Sequence, residues 1–222
     1  MDVIETIRAR KTIRGYKPDP VPKEVFEEIL DTARHTPSAY NTQPWEITVV
    51  TGEVLQNIKQ GNTEVETSGV EPDPDVPRNP YYGIFKQRRI DVAKQVFAIM
   101  GIAREDKEKR AQWQYLSSRF FHAPAALIVS IDRSLEGQLT LMDIGGFLQT
   151  VCLAAWNYGL GTCVDFRAVF FPKVVRKFTG IPDSKRILIA IAIGYPDWDS
   201  TANELDTPRE PFESFTTWCG FD

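Results

Sequence analysis

The spacing of apolar residues predicts helices over much of the chain. A stripe at intervals of three and four begins just after Asp2, with Glu5 placed to complete a capping box, and a second stripe follows Pro22. Later stripes repeat at the same interval, and Gly180 stands where the last of them should stop. The predicted helices cover about residues 2–10, 22–35, 83–100, 105–121, 139–158 and 172–179, with a short one after Gly52.

Short runs rich in β-branched and other apolar residues predict four strands. The run EITVV indicates a buried strand over residues 46–51, and two further runs begin at Pro124 and Arg186. The segment LGTCV adds a short strand. Helices and strands do not alternate strictly, and no repeat or linker divides the sequence. The pattern therefore predicts one α+β layered domain over residues 1–222.

Two segments show neither the spacing of a helix nor the composition of a strand. Residues 61–82 are rich in Pro, Gly and acidic side chains, which predicts a long loop. That loop is either a lid or binding segment, or a solvated excursion. The tail over residues 197–222 is irregular but strongly aromatic, so it needs a surface to pack on, either on this chain or on another copy. The helix over 139–158 is apolar nearly all round, which places it centrally or against a second subunit.

Composition narrows the function classes. The 222 residues are 42% hydrophobic, enough for a sizeable core, and the net charge of −4 argues against nucleic acid or an anionic membrane as the main partner. The start of the chain lacks the pattern of a signal peptide, and polar residues break the longest apolar stretches well short of a membrane span. We therefore expect a soluble cytoplasmic protein.

Cysteine and histidine give no sign of a metal site. The cysteines are odd in number and widely spaced, which suggests neither a disulfide framework nor a zinc site, and His35 and His122 lie far apart in sequence. Cys163 is either a reactive thiol or a buried strand residue. Ser38 lacks the motif of a hydrolase nucleophile. The absence of a nucleophile–base set suggests that a cofactor performs the chemistry.

Two polar stretches are candidates for ligand binding. In RARKTIRGY, an extended chain places Arg10, Thr12 and Arg14 on one face, which suits a phosphate or another anionic oxygen. A solvated basic surface is the alternative. In TPSAYNTQPW, residues 37–41 offer amides and polar side chains to a ligand, or form a turn in which Ser38 and neighbouring Asn bond their own backbone.

Several motifs together resemble one enzyme family. The stretches IRARKTIRGYKPDPVP, TPSAYNTQPWEITVVTG, GLGTCVDF and GIPDSKRILIAIAIGYPD, followed by Arg209, are similar to the FMN-dependent nitroreductase family, in the branch that includes reductases of nitrobenzoate-type compounds. The resemblance covers nearly the whole chain. It implies an α+β nitroreductase-like fold with a mixed sheet between helices in three layers. It also implies a homodimer that exchanges C-terminal arms and holds FMN at its interface.

The resemblance assigns roles to particular residues. Arg10 and Arg209 fall where the family grips the FMN phosphate, and Arg14 falls where a cation approaches the pyrimidine edge of the flavin. Such a cation stabilises the reduced flavin and the transition state for hydride transfer. Further cofactor contacts are implied for Lys11 and Thr12 and, from the opposite subunit, for Pro37, Ser38, Ala39 and Asn41.

The segment after GTC is where the family directs a backbone N–H at the flavin N5. Here it reads Val164, Asp165 and Phe166. A carboxylate at Asp165 is unfavourable beside a flavin that gains negative charge, unless it points away.

The implied reaction is ping-pong. NAD(P)H reduces FMN, and a nitroaromatic, quinone or related electron-poor compound then takes the electrons. The open flavin face needs aromatic walls, and the candidates are Tyr40, Phe166, Tyr81 and Tyr82, although ordinary packing explains each equally well. The alternatives are a reductive dehalogenase of the same fold, a flavin-binding protein without turnover, and an anion-binding domain without flavin.

Overall fold

The computed structural model describes residues 2–77, 79–135 and 137–221. Within these residues, seven α-helices and four strands follow the order α1, α2, β1, α3, α4, α5, β2, α6, β3, α7, β4. The helices are α1 Val3–Ala9, α2 Lys23–Ala33, α3 Gly52–Thr67, α4 Gly83–Ile99, α5 Lys107–Ser118, α6 Gln138–Asn157 and α7 Pro172–Thr179. The strands are β1 Glu46–Thr51, β2 Ala125–Asp132, β3 Gly161–Asp165 and β4 Lys185–Gly194.

The four strands form one sheet in the order β1-β2-β4-β3, and each neighbouring pair is antiparallel. The predicted mixed sheet is therefore antiparallel in its strand pairs, and the one parallel pairing among the described residues is an isolated bridge between Thr12 and Thr162. The central strands β2 and β4 are almost fully buried, because helices cover both of their faces. One face packs on α3 and α7 and the other on α2 and α6, which confirms the three-layer α+β architecture.

The prediction that residues 46–51 form a buried strand is half right. The strand has the predicted bounds, but it lies at an edge of the sheet, and Val50 is its only buried residue. The neighbouring Trp45 stacks on Phe147 of α6, with ring centroids 4.7 Å apart. Stacking of this kind anchors the start of the strand to the core.

Helix α3 is longer than its sequence predicts. It runs to Thr67, so the predicted loop over 61–82 is wrong for its first seven residues and begins at Ser68. The amide of Asn62 is fully buried and donates to the backbone carbonyls of Ser118 and Ala168, at 2.9 and 3.0 Å. These tertiary hydrogen bonds stabilise the extra turns despite the polar sequence.

The loop that follows α3 is tied to the core at Asp75. Its carboxylate accepts a hydrogen bond from the backbone N–H of Ile187 at 2.8 Å and pairs with Arg176 at 2.7 Å. Burial opposes ionisation of Asp75, but these contacts outweigh it and lower the pKa of the carboxyl below its usual value. The loop is therefore tied to β4 at Asp75, while most of its described residues are exposed.

Helix α6 is the one helix of the described residues that is long and apolar enough, by length and composition, to cross a membrane. Polar residues, among them Asp143 and Gln149, nevertheless interrupt its run of apolar residues. One third of its most apolar window is buried inside the chain. That buried part includes Phe147 and Val151, which pack against α2.

Candidate functional site

A basic cavity lies between the segment after α1 and the start of the C-terminal tail. Its volume is about 870 Å³. The structure brings into its wall five of the residues assigned to a cofactor by resemblance: Arg10, Lys11, Thr12, Arg14 and Arg209. Arg8 and Gln149 line it as well, and Asp206 is the one carboxylate among the described residues of the wall.

The cations of the basic cavity lack carboxylate partners. Among the described residues, no carboxylate lies within ion-pairing distance of any of its five cationic side chains. The guanidinium of Arg209 instead donates to the backbone carbonyl and hydroxyl of Thr207, at 2.6 Å each. The Nε of Arg10 is buried and has no hydrogen-bond partner in the part of the chain described. Uncompensated cations with free donors create a site for an anion.

Residues 8–16, the basic segment, are held against β3 by a backbone hydrogen bond. Ile13 is fully buried, and its N–H donates to the carbonyl of Thr162 at 3.0 Å. A Cβ on Gly161 would lie 2.4 Å from the Ile13 side chain, so only glycine allows this approach. The segment therefore lies at a fixed place beside the edge strand.

A smaller cavity, the strand cavity, adjoins the basic cavity through Arg14, which lines both. Its volume is about 270 Å³, and its wall includes Phe121, Val164 and Asp165. The Cζ of Arg14 lies 5.9 Å from the centroid of the Phe121 ring, which is cation–π distance. Phe121 could not be predicted as a site residue, because its role depends on a contact with Arg14, far away along the chain.

The carboxyl of Asp165 is engaged by the protein. It is buried, and the hydroxyl of Ser117 donates to it at 2.7–2.8 Å while the backbone N–H of Arg167 donates at 2.8 Å. Burial nevertheless raises the pKa of Asp165 above its usual value. The negative charge of Asp165, which is unfavourable beside a flavin, is thus neutralised in part in two ways. Donors bind the carboxylate, and burial favours its protonated, uncharged form.

A third cavity, the loop cavity, lies between the end of β3 and the loop after α3, of which residues 76–77 and 79–81 line it. Its volume is about 640 Å³, and it shares Ser117, Asp165 and Arg167 with the strand cavity. Phe166 and Tyr81 both line it, as two of the four predicted aromatic wall residues. Arg167 forms an ion pair with Glu66 of α3, which fixes the base of this cavity.

The other predicted aromatic residues lie outside these cavities. The side chains of Tyr40 and Tyr82 are 98% and 73% exposed, and neither lines any of the three cavities within the described residues. Within one chain, the structure therefore does not bring them to the other candidate residues.

The 37–41 segment lies against α6, away from the basic cavity of the same chain. The N–H of Ala39 donates to Asp143 at 3.2 Å, and Ser38 accepts from the N–H of Gln43 at 3.0 Å. Both Tyr40 and Asn41 have positive φ, at 52° and 58°, a strained backbone for residues with a side chain. Ser38 thus stabilises its own turn, and the contacts of Pro37, Ser38, Ala39 and Asn41 with a cofactor stay a prediction.

A second strained turn supports the strand cavity. Phe120, Phe121 and His122 have φ of 56°, 51° and 57°, three consecutive left-handed residues. Lys59 of α3 is buried beneath the turn and donates through Nζ to the carbonyl of Ala123 at 2.8 Å. This contact holds the turn that presents Phe121 to Arg14.

The buried Lys59 makes stability depend on pH. Burial lowers its pKa to about 8 from the usual 10.5. Below pH 8 the folded and unfolded chains both carry the proton, so the cost of burying the charge is present in full. Between pH 8 and 10.5 the folded chain loses the proton first, and the free energy of unfolding should rise by on the order of 2 kcal/mol. Urea unfolding of Lys59→Met should lack this rise.

The exposed Lys173 of α7 provides the matched control, because Lys173→Met removes a lysine without disturbing a buried group. That variant should keep the wild-type rise. An equal rise in Lys59→Met and wild type would show that Lys59 is not its source.

The buried cysteines are poor nucleophiles. Burial raises the pKa of the Cys163 thiol to about 12, and the pKa of Cys152 is raised for the same reason. A thiolate is therefore disfavoured at both positions, which fits Cys163 as a buried strand residue.

Comparisons with known proteins place these cavities in context. A sequence profile described as the nitroreductase family matches residues 7–195. The chain is 33% identical to the 4-nitrobenzoate reductase of Pseudomonas putida, covering 100% of this chain and 97% of that protein. It is 32% identical to the chloronitrobenzene nitroreductase of Comamonas testosteroni, covering 96% and 95%. The crystal structure of the FMN-dependent nitroreductase NfnB from Mycobacterium smegmatis in complex with NADPH superposes with a TM-score of 0.92, at 26% identity over 97% of both chains.

Proposed function

This chain belongs to the nitroreductase family, and we propose that it is an FMN-dependent NAD(P)H oxidoreductase that reduces nitroaromatic compounds, quinones or similar electron-poor substrates. The single observation that carries this function is the basic cavity, which Arg14 joins to the strand cavity at the end of β3. The loop cavity in turn adjoins the strand cavity through Ser117, Asp165 and Arg167. A flavin phosphate needs unpaired cations, and a flavin ring needs an adjoining space with aromatic walls.

The residues of the basic cavity fit the phosphate of FMN. Arg10 has a buried Nε without a partner, and no carboxylate among the described residues pairs with Lys11 or Arg209. Thr12 lines the same wall. An anion with three oxygens would satisfy these donors and neutralise part of the positive charge. Arg10, Lys11, Thr12 and Arg209 would therefore hold the phosphate.

Arg14 is positioned to stabilise negative charge on the cofactor. When bound, FMN supplies the hydride chemistry, accepting two electrons from NAD(P)H and passing them to the oxidant. The guanidinium of Arg14 lies between the basic cavity and the strand cavity, where it would stabilise negative charge that develops during reduction. The ring of Phe121 holds the guanidinium, and the backbone N–H of Arg14 donates to Asn203, so little reorganisation is required.

The segment from Val164 to Phe166 would form the wall beside the reactive part of the cofactor. The side chain of Val164 is half exposed in the strand cavity, while that of Asp165 is bound by Ser117. Binding of the carboxyl by Ser117 keeps it from moving freely into the cavity. Phe166 and Tyr81 would provide apolar contact for a flat aromatic substrate in the loop cavity.

The protein would act as a homodimer. Apolar side chains of α1, α6 and the tail are exposed in the single chain, which is unusual for so many large groups. They include Val3, Ile4, Ile7, Leu139, Leu141, Met142, Phe212, Phe215, Trp218 and Phe221. A second copy would cover these surfaces, and its 37–41 segment would complete the cofactor site.

Initial-rate kinetics test this function. Rates of NADH and NADPH oxidation should be measured at several concentrations of 4-nitrobenzoate, nitrobenzene and a benzoquinone. We expect parallel double-reciprocal lines with at least one of these oxidants, the pattern of a ping-pong reaction. Oxidation of neither nucleotide with any oxidant would support a flavin-binding protein without turnover.

A further inference from the structure

Asn203 is a buried side chain that joins the two halves of the basic cavity. It is 3% exposed and lies at the end of a short helical turn over Thr201–Asn203. One half of the cavity wall comes from the segment that contains Arg14, and the other comes from residues 205–209, just after this turn. Neither the sequence motifs nor the proposed cofactor contacts involve Asn203.

The amide of Asn203 uses its full hydrogen-bonding capacity. Its Oδ1 accepts from the backbone N–H groups of Arg14 and Gly15, at 2.7 and 3.1 Å. Its Nδ2 donates to the backbone carbonyls of Gly15 and Asp197, at 2.8 Å each. This set of two accepted and two donated hydrogen bonds requires Asn, because an ionised Asp has no hydrogen to donate.

The turn also packs directly on the basic segment. A Cβ on Gly15 would lie 2.2 Å from the hydroxyl oxygen of Ser200, so Gly15 permits the close approach. The N–H of Asp197 donates to the Gly15 carbonyl at 3.0 Å, which adds a direct backbone contact. The two chain segments therefore meet at one point, and Asn203 provides most of the polar contacts there.

We propose that Asn203 is a positioning residue for the anion of the cofactor: its amide fixes the backbone of Arg14 relative to residues 205–209, so that cations from both segments face one phosphate. This inference rests on the proposed function. Preorganised groups bind more tightly because less conformational freedom is lost when the ligand arrives. Without the hydrogen bonds of Asn203, Arg209 would become ordered only when the cofactor binds.

The test compares FMN binding with stability. Asn203→Asp keeps the shape of the side chain but places a carboxylate against the carbonyls of Gly15 and Asp197. The dissociation constant of FMN is measured by fluorescence quenching on the apo-protein. We expect it to rise about tenfold or more, as for a lost network of hydrogen bonds to a binding element. Asn203→Ser replaces the amide by a hydroxyl, a neutral group that can still donate and accept, and should weaken binding less. It is measured instead if the aspartate variant does not fold.

Ile29→Val is the matched control, because Ile29 is fully buried in α2, in a core cluster that includes no residue of the basic segment. It should lower the unfolding midpoint while leaving FMN affinity within about twofold of wild type. A dissociation constant for the Asn203 variants within the same twofold would overturn the inference. If the wild-type protein itself binds no FMN, the proposed function fails and this inference fails with it. Wild-type binding with unaffected Asn203 variants contradicts the inference alone.

Discussion

The Arg14→Ala variant, with FMN bound, is expected to be reduced by NAD(P)H about a hundredfold more slowly than the wild type. Arg14 is the one side chain that lines both the basic cavity and the strand cavity among the described residues. Its backbone is bound by Asn203 at 2.7 Å, and its guanidinium lies over Phe121. A cation held in this way stabilises negative charge without first having to reorganise. Stopped-flow absorbance at the flavin band measures the rate.

The reduction potential provides an independent measure of the same effect. Removing a fixed cation beside a group that becomes more negative on reduction should lower the midpoint potential. Arg14→Lys, which keeps the charge but not the planar guanidinium, should fall between the two proteins. If Arg14→Ala binds FMN fully and is reduced at the wild-type rate, Arg14 does not have the assigned role.

Replacing Arg10 with alanine is expected to weaken FMN binding by about 10- to 100-fold. The buried Nε of Arg10 has no partner among the described residues, so a phosphate oxygen would be its first. A charge-assisted hydrogen bond to phosphate is among the stronger contacts that a protein makes. Titration of the apo-protein with FMN, followed by fluorescence quenching, gives the dissociation constant.

Riboflavin separates phosphate recognition from general damage. It has the same ring as FMN but no phosphate, so Arg10→Ala should bind riboflavin as the wild type does. Arg34→Ala is a matched control, since Arg34 is an exposed arginine just after the last residue of α2 and pairs with Asp31. Equal losses of affinity for FMN and riboflavin in Arg10→Ala would contradict a phosphate contact.

Most of the fold could be predicted from the chain because its elements carry local signals. The strand bounds at Glu46–Thr51 follow from β-branched residues, and Gly180 ends α7 with a positive φ of 74°. The length of α3 could not be predicted, because its last turns depend on Asn62 and its contacts with distant carbonyls. The edge position of β1 also depends on topology rather than on its apolar pattern.

Some residues of the candidate site could likewise be predicted from the sequence, and others could not. The basic segment has a local signal, since Arg10, Thr12 and Arg14 lie close together in sequence, and the resemblance adds Arg209. The structure brings these residues to one cavity. Phe121 and Asn203 have no such signal, because each acts through a contact with a segment about one hundred or more residues away.

The visible spectrum under anaerobic conditions shows whether the protein is a flavin-dependent reductase. The purified protein is mixed first with NADH or NADPH and then with 4-nitrobenzoate or a quinone. We expect a yellow protein that one of the nucleotides bleaches and that regains its colour when one of the oxidants is added. A protein that is colourless and cannot be reconstituted with FMN would rule out the flavin-dependent function, and with it the roles of Arg10, Arg14 and Arg209.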